Sequence, residues 1–165
     1  MTTSSVTRER TPGATASTRI EASPEAIWDI VSDGSRLPEW LTPIAEVRRV
    51  ATAGELAEGS EVMVKMVGRV PPGQKVAIHE AVPGQKLSAK VGPAFAHALG
   101  IAMRVELTLE PSGEATTATV RFTCNPITGP LQERISGMNP NEHVQSTVQR
   151  LKEVAEAATY NTLRG

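Results

Sequence analysis

Residues 20–33 read IEASPEAIWDIVSD, and residues 37–41 read LPEWL. Ile20 lies near the end of a short alternating run, Ala16 to Ala22, that reads as a first strand. Ser23 then offers a hydroxyl to an orphan helix amide, and Pro24 suits the first helical position. Ile27, Ile30 and Val31 fall on one face of the resulting helix, with Trp28 at its flank. Asp33-Gly34 ends it, and Arg36 to Leu41 forms a second short helix before Pro43. That helix carries Trp40. One strand, two small helices and two tryptophans therefore open the fold.

Downstream the apolar spacing changes from helical to alternating. In Ser60 to Val70 one row holds Val62, Val64, Met66, Gly68 and Val70, and the other holds Glu61, Lys65 and Arg69 with Met63 and Val67 between them. That is a strand with one wet face. Pro71-Pro72-Gly73 turns the chain into a strand from Lys75 to Val82. Pro83-Gly84 turns it again, and Leu87, Ala89 and Val91 alternate against Ser88 and Lys90. The clearest strand is Ile101 to Leu109, which Pro111-Ser112-Gly113 joins to Thr117 to Cys124. Connections this short predict an antiparallel meander.

The last third is helical. Val144, Val148, Leu151, Ala155 and Ala158 form one stripe, and Asn139-Pro140-Asn141-Glu142 resembles a capping box at its start. Leu131, Ile135 and Met138 form an earlier stripe, about 120° out of phase with the later one. A break or kink is expected at Gly137 to Pro140.

These elements predict an α+β helix-grip fold. A curved antiparallel sheet of about six or seven strands wraps around a long C-terminal helix, with two short helices after the first strand. The Trp28 and Trp40 segment, the turn at Pro83 after a Val-x-Ile-x-Glu strand, and the Leu151-Lys152-Glu153 helix resemble the START-like or SRPBCC superfamily. This is the polyketide cyclase/dehydrase and lipid-transport group, and the resemblance spans residues 16 to 158. It implies an internal pocket between sheet and helix, opened by loops and the small second helix. Residues 16–160 form the expected domain, and residues 1–15, rich in Ser and Thr with no apolar block, the expected disordered tail.

The 165-residue chain carries a formal net charge of -1 and a pI near 6.3. Neither favours a nucleic-acid surface, which needs a basic face. No apolar run approaches the roughly 20 residues that span a bilayer, so no membrane insertion is expected. Cys124 is the only cysteine. It excludes an internal disulfide, points to a cytoplasmic setting, and alternates with Val120 and Phe122 as a small core residue. Nucleotide, Walker, nucleophile-elbow and zinc motifs are missing. His79, His97 and His143 fall in separate elements, so no cofactor and no metal are expected.

Strand register nominates Glu80, in phase with Val76, Ile78 and Val82, as an inward acid. His97, in phase with Leu99, Ile101 and Met103, becomes a base beside it if the chain is an enzyme. The ligand-lining candidates are Trp40, Val64, Met66, Ile78, Leu87, Phe95, Met103, Phe122 and Met138. Flexible thioethers among them repack around varied ligands. Two functions fit: a carrier or sensor for a small hydrophobic or amphipathic molecule, and a polyketide cyclase, aromatase or dehydratase using the same cavity. A third class is protein interaction through the apolar 93–100 loop, which is a pocket lip or a partner-facing patch. Monomer and homodimer are both compatible with these residues.

Overall fold

The computed structural model describes residues 13–50, 55–68, 70, 72–124 and 139–164. Strand β1 (Gly13–Ile20) leads into α1 (Pro24–Val31), a single 3-10 turn (Gly34–Arg36) and α2 (Leu37–Trp40). Six further strands follow: β2 (Ile44–Val50), β3 (Glu61–Met66), β4 (Gln74–Val82), β5 (Lys86–Pro93), β6 (Met103–Ser112) and β7 (Ala115–Thr123). Between β5 and β6 lies α3 (Ala94–Leu99), and the long helix α4 (Pro140–Arg164) closes the chain. The seven strands form one antiparallel sheet in the order β1-β7-β6-β5-β4-β3-β2. This is the helix-grip arrangement.

The opening segment folds as its residues dictate. Ser23 Oγ accepts the Ala26 amide at 3.1 Å, with Pro24 at the first helical position. Ile27, Trp28, Ile30 and Val31 are buried. The Thr116 hydroxyl, fully buried on β7, donates to the Ala22 carbonyl at 2.7 Å and fixes where the chain leaves β1. At the other end of the chain Asn139 Oδ1 accepts the Asn141 amide, so α4 starts on its capping residue. Helix α4 buries Val144, Thr147, Val148, Leu151 and Ala155, and packs on β1, β7 and α2. Near its far end Glu156 accepts the Glu21 amide and the Lys152 ammonium, each at 2.8 Å.

Three local expectations change, and one strand is added. Strand β1 begins at Gly13, inside the stretch assigned to the tail, because every residue from Gly13 to Ile20 finds a partner on β7. The Ser17 and Thr119 hydroxyls meet across that pair at 2.8 Å. Strand β2 had no alternating signal: it is an edge strand with two irregularities in its pairing and the charges Glu46, Arg48 and Arg49. Edge strands carry such features because they discourage pairing with other chains. Segment 94–99, expected as a loop, is a helix closed by Gly100 at φ 73°, whose amide and that of Ile101 return to the carbonyls of His97 and Ala96. Ser88, set against the apolar row of Leu87, Ala89 and Val91, is buried as well. Met138, the Leu131 and Ile135 stripe, the Gly137 break and Arg69 lie outside the described residues.

Candidate functional site

The inner face of the sheet is assembled by register. One row runs Val62, Val76, Val91, Met103 across β3 to β6. The next runs Ile78, Ala89, Val105, Phe122, Ala14, and a third Ala81, Leu87, Leu107, Val120, Ala16. None of these residues is charged. Trp40, Val64, Met66, Ile78, Leu87, Met103 and Phe122 share one continuous buried cluster with Val144 and Val148 of α4. Cys124 packs against its edge.

Polar groups collect at one end of this face. Gln74 pairs with Val64 on one side and Pro93 on the other, and is only 3 % exposed. At the same end Ile44 pairs with Met66, just after the Trp40–Pro43 corner. Thr42, in that corner, reaches α4. Its Oγ1 lies 3.2 Å from His143 Nδ1, 3.2 Å from the His143 carbonyl and 3.1 Å from Thr147 Oγ1, and its amide donates to Thr147 Oγ1 at 3.3 Å. Partial burial lowers the His143 pKa below its usual value, against a smaller opposing pull from Glu142. A neutral imidazole at that position can accept from the Thr42 hydroxyl.

The two tryptophans differ. Trp28 Nε1 donates to Glu55 Oε2 at 2.6 Å. Trp40 is 1 % exposed, and its Nε1 has no hydrogen-bond partner among the described residues.

Neither proposed acid/base residue occupies the interior. The β4–β5 pairing slips between Ile78, which faces Ala89, and Glu80, which faces Ser88. One extra residue reverses the face of everything after it. Glu80 therefore lies on the outer face, 3.2 Å from Lys86, which also pairs with Glu106 at 3.0 Å. Those carboxylates, Glu106 first, raise the Lys86 pKa. His97 belongs to α3 rather than to a strand row, so its phase with Met103 does not hold. Its Nε2 lies 3.1 Å from both the Lys75 and the Gly92 carbonyls, which fixes that nitrogen as the protonated donor and ties α3 to β4 and β5. Phe95, also on α3, is 61 % exposed and lines no interior wall.

Gln74, Thr42, His143 and Thr147 are not among the site residues that the sequence nominates. Two of them had a signal. Gln74 continues the Val76 and Ile78 row by two, and Thr147 sits on the α4 stripe three residues from Val144 and four from Leu151. The partnership of Thr42 with His143, 101 residues apart, had none.

An open depression of about 420 Å³ near α1 is lined by Asp29, Ser32, Asp33 and Glu55. Glu55 serves Trp28, and Asp33 accepts the Ser35 amide and hydroxyl. Among the described residues no three His, Cys, Asp or Glu side chains group as metal ligands, and no helix is long and apolar enough to cross a membrane.

A seven-stranded antiparallel sheet gripping a long helix over an uncharged inner face defines the SRPBCC class. The family model described as polyketide cyclase / dehydrase and lipid transport matches residues 11–156, and the chain belongs to that family. No curated protein matches it by sequence. Similar solved structures share its fold at low identity. KanY protein is 16 % identical with a TM-score of 0.66, covering 88 % of this chain and 98 % of its own. A norcoclaurine synthase point mutant from Thalictrum, in complex with a transition state analogue, is 14 % identical at 0.61, covering 90 % and 96 %. The Aha1 dimer from Colwellia psychrerythraea is 19 % identical at 0.59, covering 88 % and 96 %.

Proposed function

We propose that this chain binds a small apolar or amphipathic molecule between the inner face of its sheet and α4, as a carrier or sensor. The observation that carries this reading is the composition of that face. Three successive register rows are uncharged, with one aromatic residue among them, and Gln74, Thr42, His143 and Thr147 gather at one end of the face. An apolar floor with a few polar groups at one end is the usual make-up of a small-molecule site. Burying about 300 Å² of apolar ligand surface contributes about 7 kcal/mol before the cost of association, enough for micromolar affinity. Native mass spectrometry of the freshly purified protein against its denatured mass tests the reading. A reproducible bound small molecule is the expected result. Failure to retain or take up any apolar probe up to millimolar concentration sinks it.

A second reading is an enzyme of cyclase or dehydratase type, favoured by the neutral, half-buried His143 against Thr42. In that case the acid/base group is His143, not Glu80 or His97. A His143→Gln variant that still binds a substrate analogue but loses turnover supports it. Retained turnover in that variant removes His143 from the chemistry. Either function fits a cytoplasmic protein whose partner is the small molecule itself.

A further inference from the structure

An indole N–H donates and never accepts, and its direction is fixed by the ring. Trp28 shows how this fold treats such a group when it can: Glu55 takes it at 2.6 Å. Trp40 is more deeply buried, yet its Nε1 meets no acceptor among the described residues. Thr159 Oγ1 is also buried with no partner among the described residues, but a helical threonine hydroxyl can turn toward the carbonyl four residues back. Trp40 has no such freedom. Its ring belongs to the same buried cluster as Val64, Met66 and Met103, and α2 is held against both α4 and β2 at the polar end of the inner face. Among the described residues the inner rows bring no cation to that end. Lys75, Lys90 and Arg104 alternate onto the opposite face of their strands from Val76, Val91 and Met103.

We infer that Trp40 Nε1 is the orienting donor of the binding site, and that the molecule bound there carries a neutral oxygen acceptor, a carbonyl or ether, at the end of an apolar body. The inference rests on the binding reading above and narrows its ligand class. A pure hydrocarbon leaves the N–H unpaired. A carboxylate would be buried without a counter-charge, which is far more costly than burying a neutral carbonyl. A single hydrogen bond of ordinary strength is worth roughly tenfold in affinity.

The test uses two probes of nearly one shape, 1-tetralone and tetralin, which differ by a carbonyl oxygen. Each is titrated into the full-length protein, with affinity measured by calorimetry and the two indole N–H resonances followed by NMR. The Trp40→Phe variant assigns the resonances and removes the donor while keeping an aromatic ring. Tetralone is expected to bind about tenfold more tightly than tetralin and to move the Trp40 indole proton downfield, leaving that of Trp28 in place. In Trp40→Phe the two affinities should converge. Equal affinities in the unmodified protein, or a preference that survives the substitution, overturn the role of Trp40 and leave interior binding standing. Absence of binding by both probes overturns interior binding and this inference together. If Trp40→Phe does not fold, the shift in the unmodified protein decides: a downfield move with tetralone and none with tetralin supports the donor, and identical responses refute it.

Discussion

The Trp28 indole N–H and the Glu55 carboxylate meet at 2.6 Å across 27 residues, joining α1 to the segment that enters β3. The Leu56 amide donates to the Ser32 carbonyl at 2.7 Å beside them, so the link is reinforced by backbone. Because Trp28 is buried, removing its acceptor strands the donor. Glu55→Ala should lower stability by about 1–2 kcal/mol. In a Trp28→Phe background most of that loss should vanish. A double-mutant cycle by urea denaturation reads the coupling directly, and additive effects would show that the contact contributes nothing of its own.

His143 gives the pH dependence. Its pKa is lowered by burial, so in the acid range the unfolded chain takes the proton first. The stability contributed by the neutral imidazole is therefore complete above about pH 6.5 and is lost progressively as pH falls from there toward the folded value. Urea midpoints at pH 7.5 and 5.5 should differ less in His143→Gln than in the unmodified protein. An unchanged difference would assign the slope to other groups.

Glu80 and His97 should separate from binding altogether. Glu80→Gln alters an ion pair on the outer face and is expected to leave probe affinity unchanged. His97→Ala removes the tie from α3 to the Lys75 and Gly92 carbonyls, so it should loosen residues 94–99. Hydrogen exchange of the α3 amides, alongside probe affinity, distinguishes this from a site role. Faster exchange at 94–99 with intact affinity is the expected pattern, and lost affinity in either variant with the fold retained would return that residue to the site.

The architecture was legible because each element carried a local signal. Ser23-Pro24 started α1, Asn139-Pro140 started α4, and the β6 alternation from Met103 to Leu109 set the inner face. Elements whose pattern is set by partners were not. Strand β1 reaches back to Gly13 because β7 offers pairing there, and β2 hides its strand character under edge charges. The apolar inner face was legible for the same reason: the burial of Val64, Met66, Ile78, Leu87, Met103 and Phe122 follows from parity. Glu80 did not, because parity fails at a bulge, and no residue between Val76 and Val82 announces one. Phe95 and His97 were misplaced by reading Ala94–Leu99 as extended chain. Its alanines and the following Gly100 are the helix signals that would have corrected it. The polar corner of Thr42, His143 and Thr147 is a purely tertiary contact.

Whether the inner face is solid core or has room for a ligand can be decided by the sign of one substitution. Val91 lies between Val76 and Met103 in the row nearest the polar end, and its neighbours are small or flexible. In a closely packed interior the larger ring of Val91→Phe has no place to go, and overpacking costs about 1–3 kcal/mol. Where the fold encloses ligand space, the ring extends into it, gains apolar burial and displaces whatever binds there. The binding reading therefore predicts a variant at least as stable as the parent by thermal denaturation, with tetralone affinity lost. A clear loss of stability with affinity retained would make Val91 ordinary core and move the site away from this row. Loss of both would show only overpacking, and the smaller step Val91→Leu then separates the two: reduced affinity at unchanged melting temperature is the result that a ligand-lining position requires.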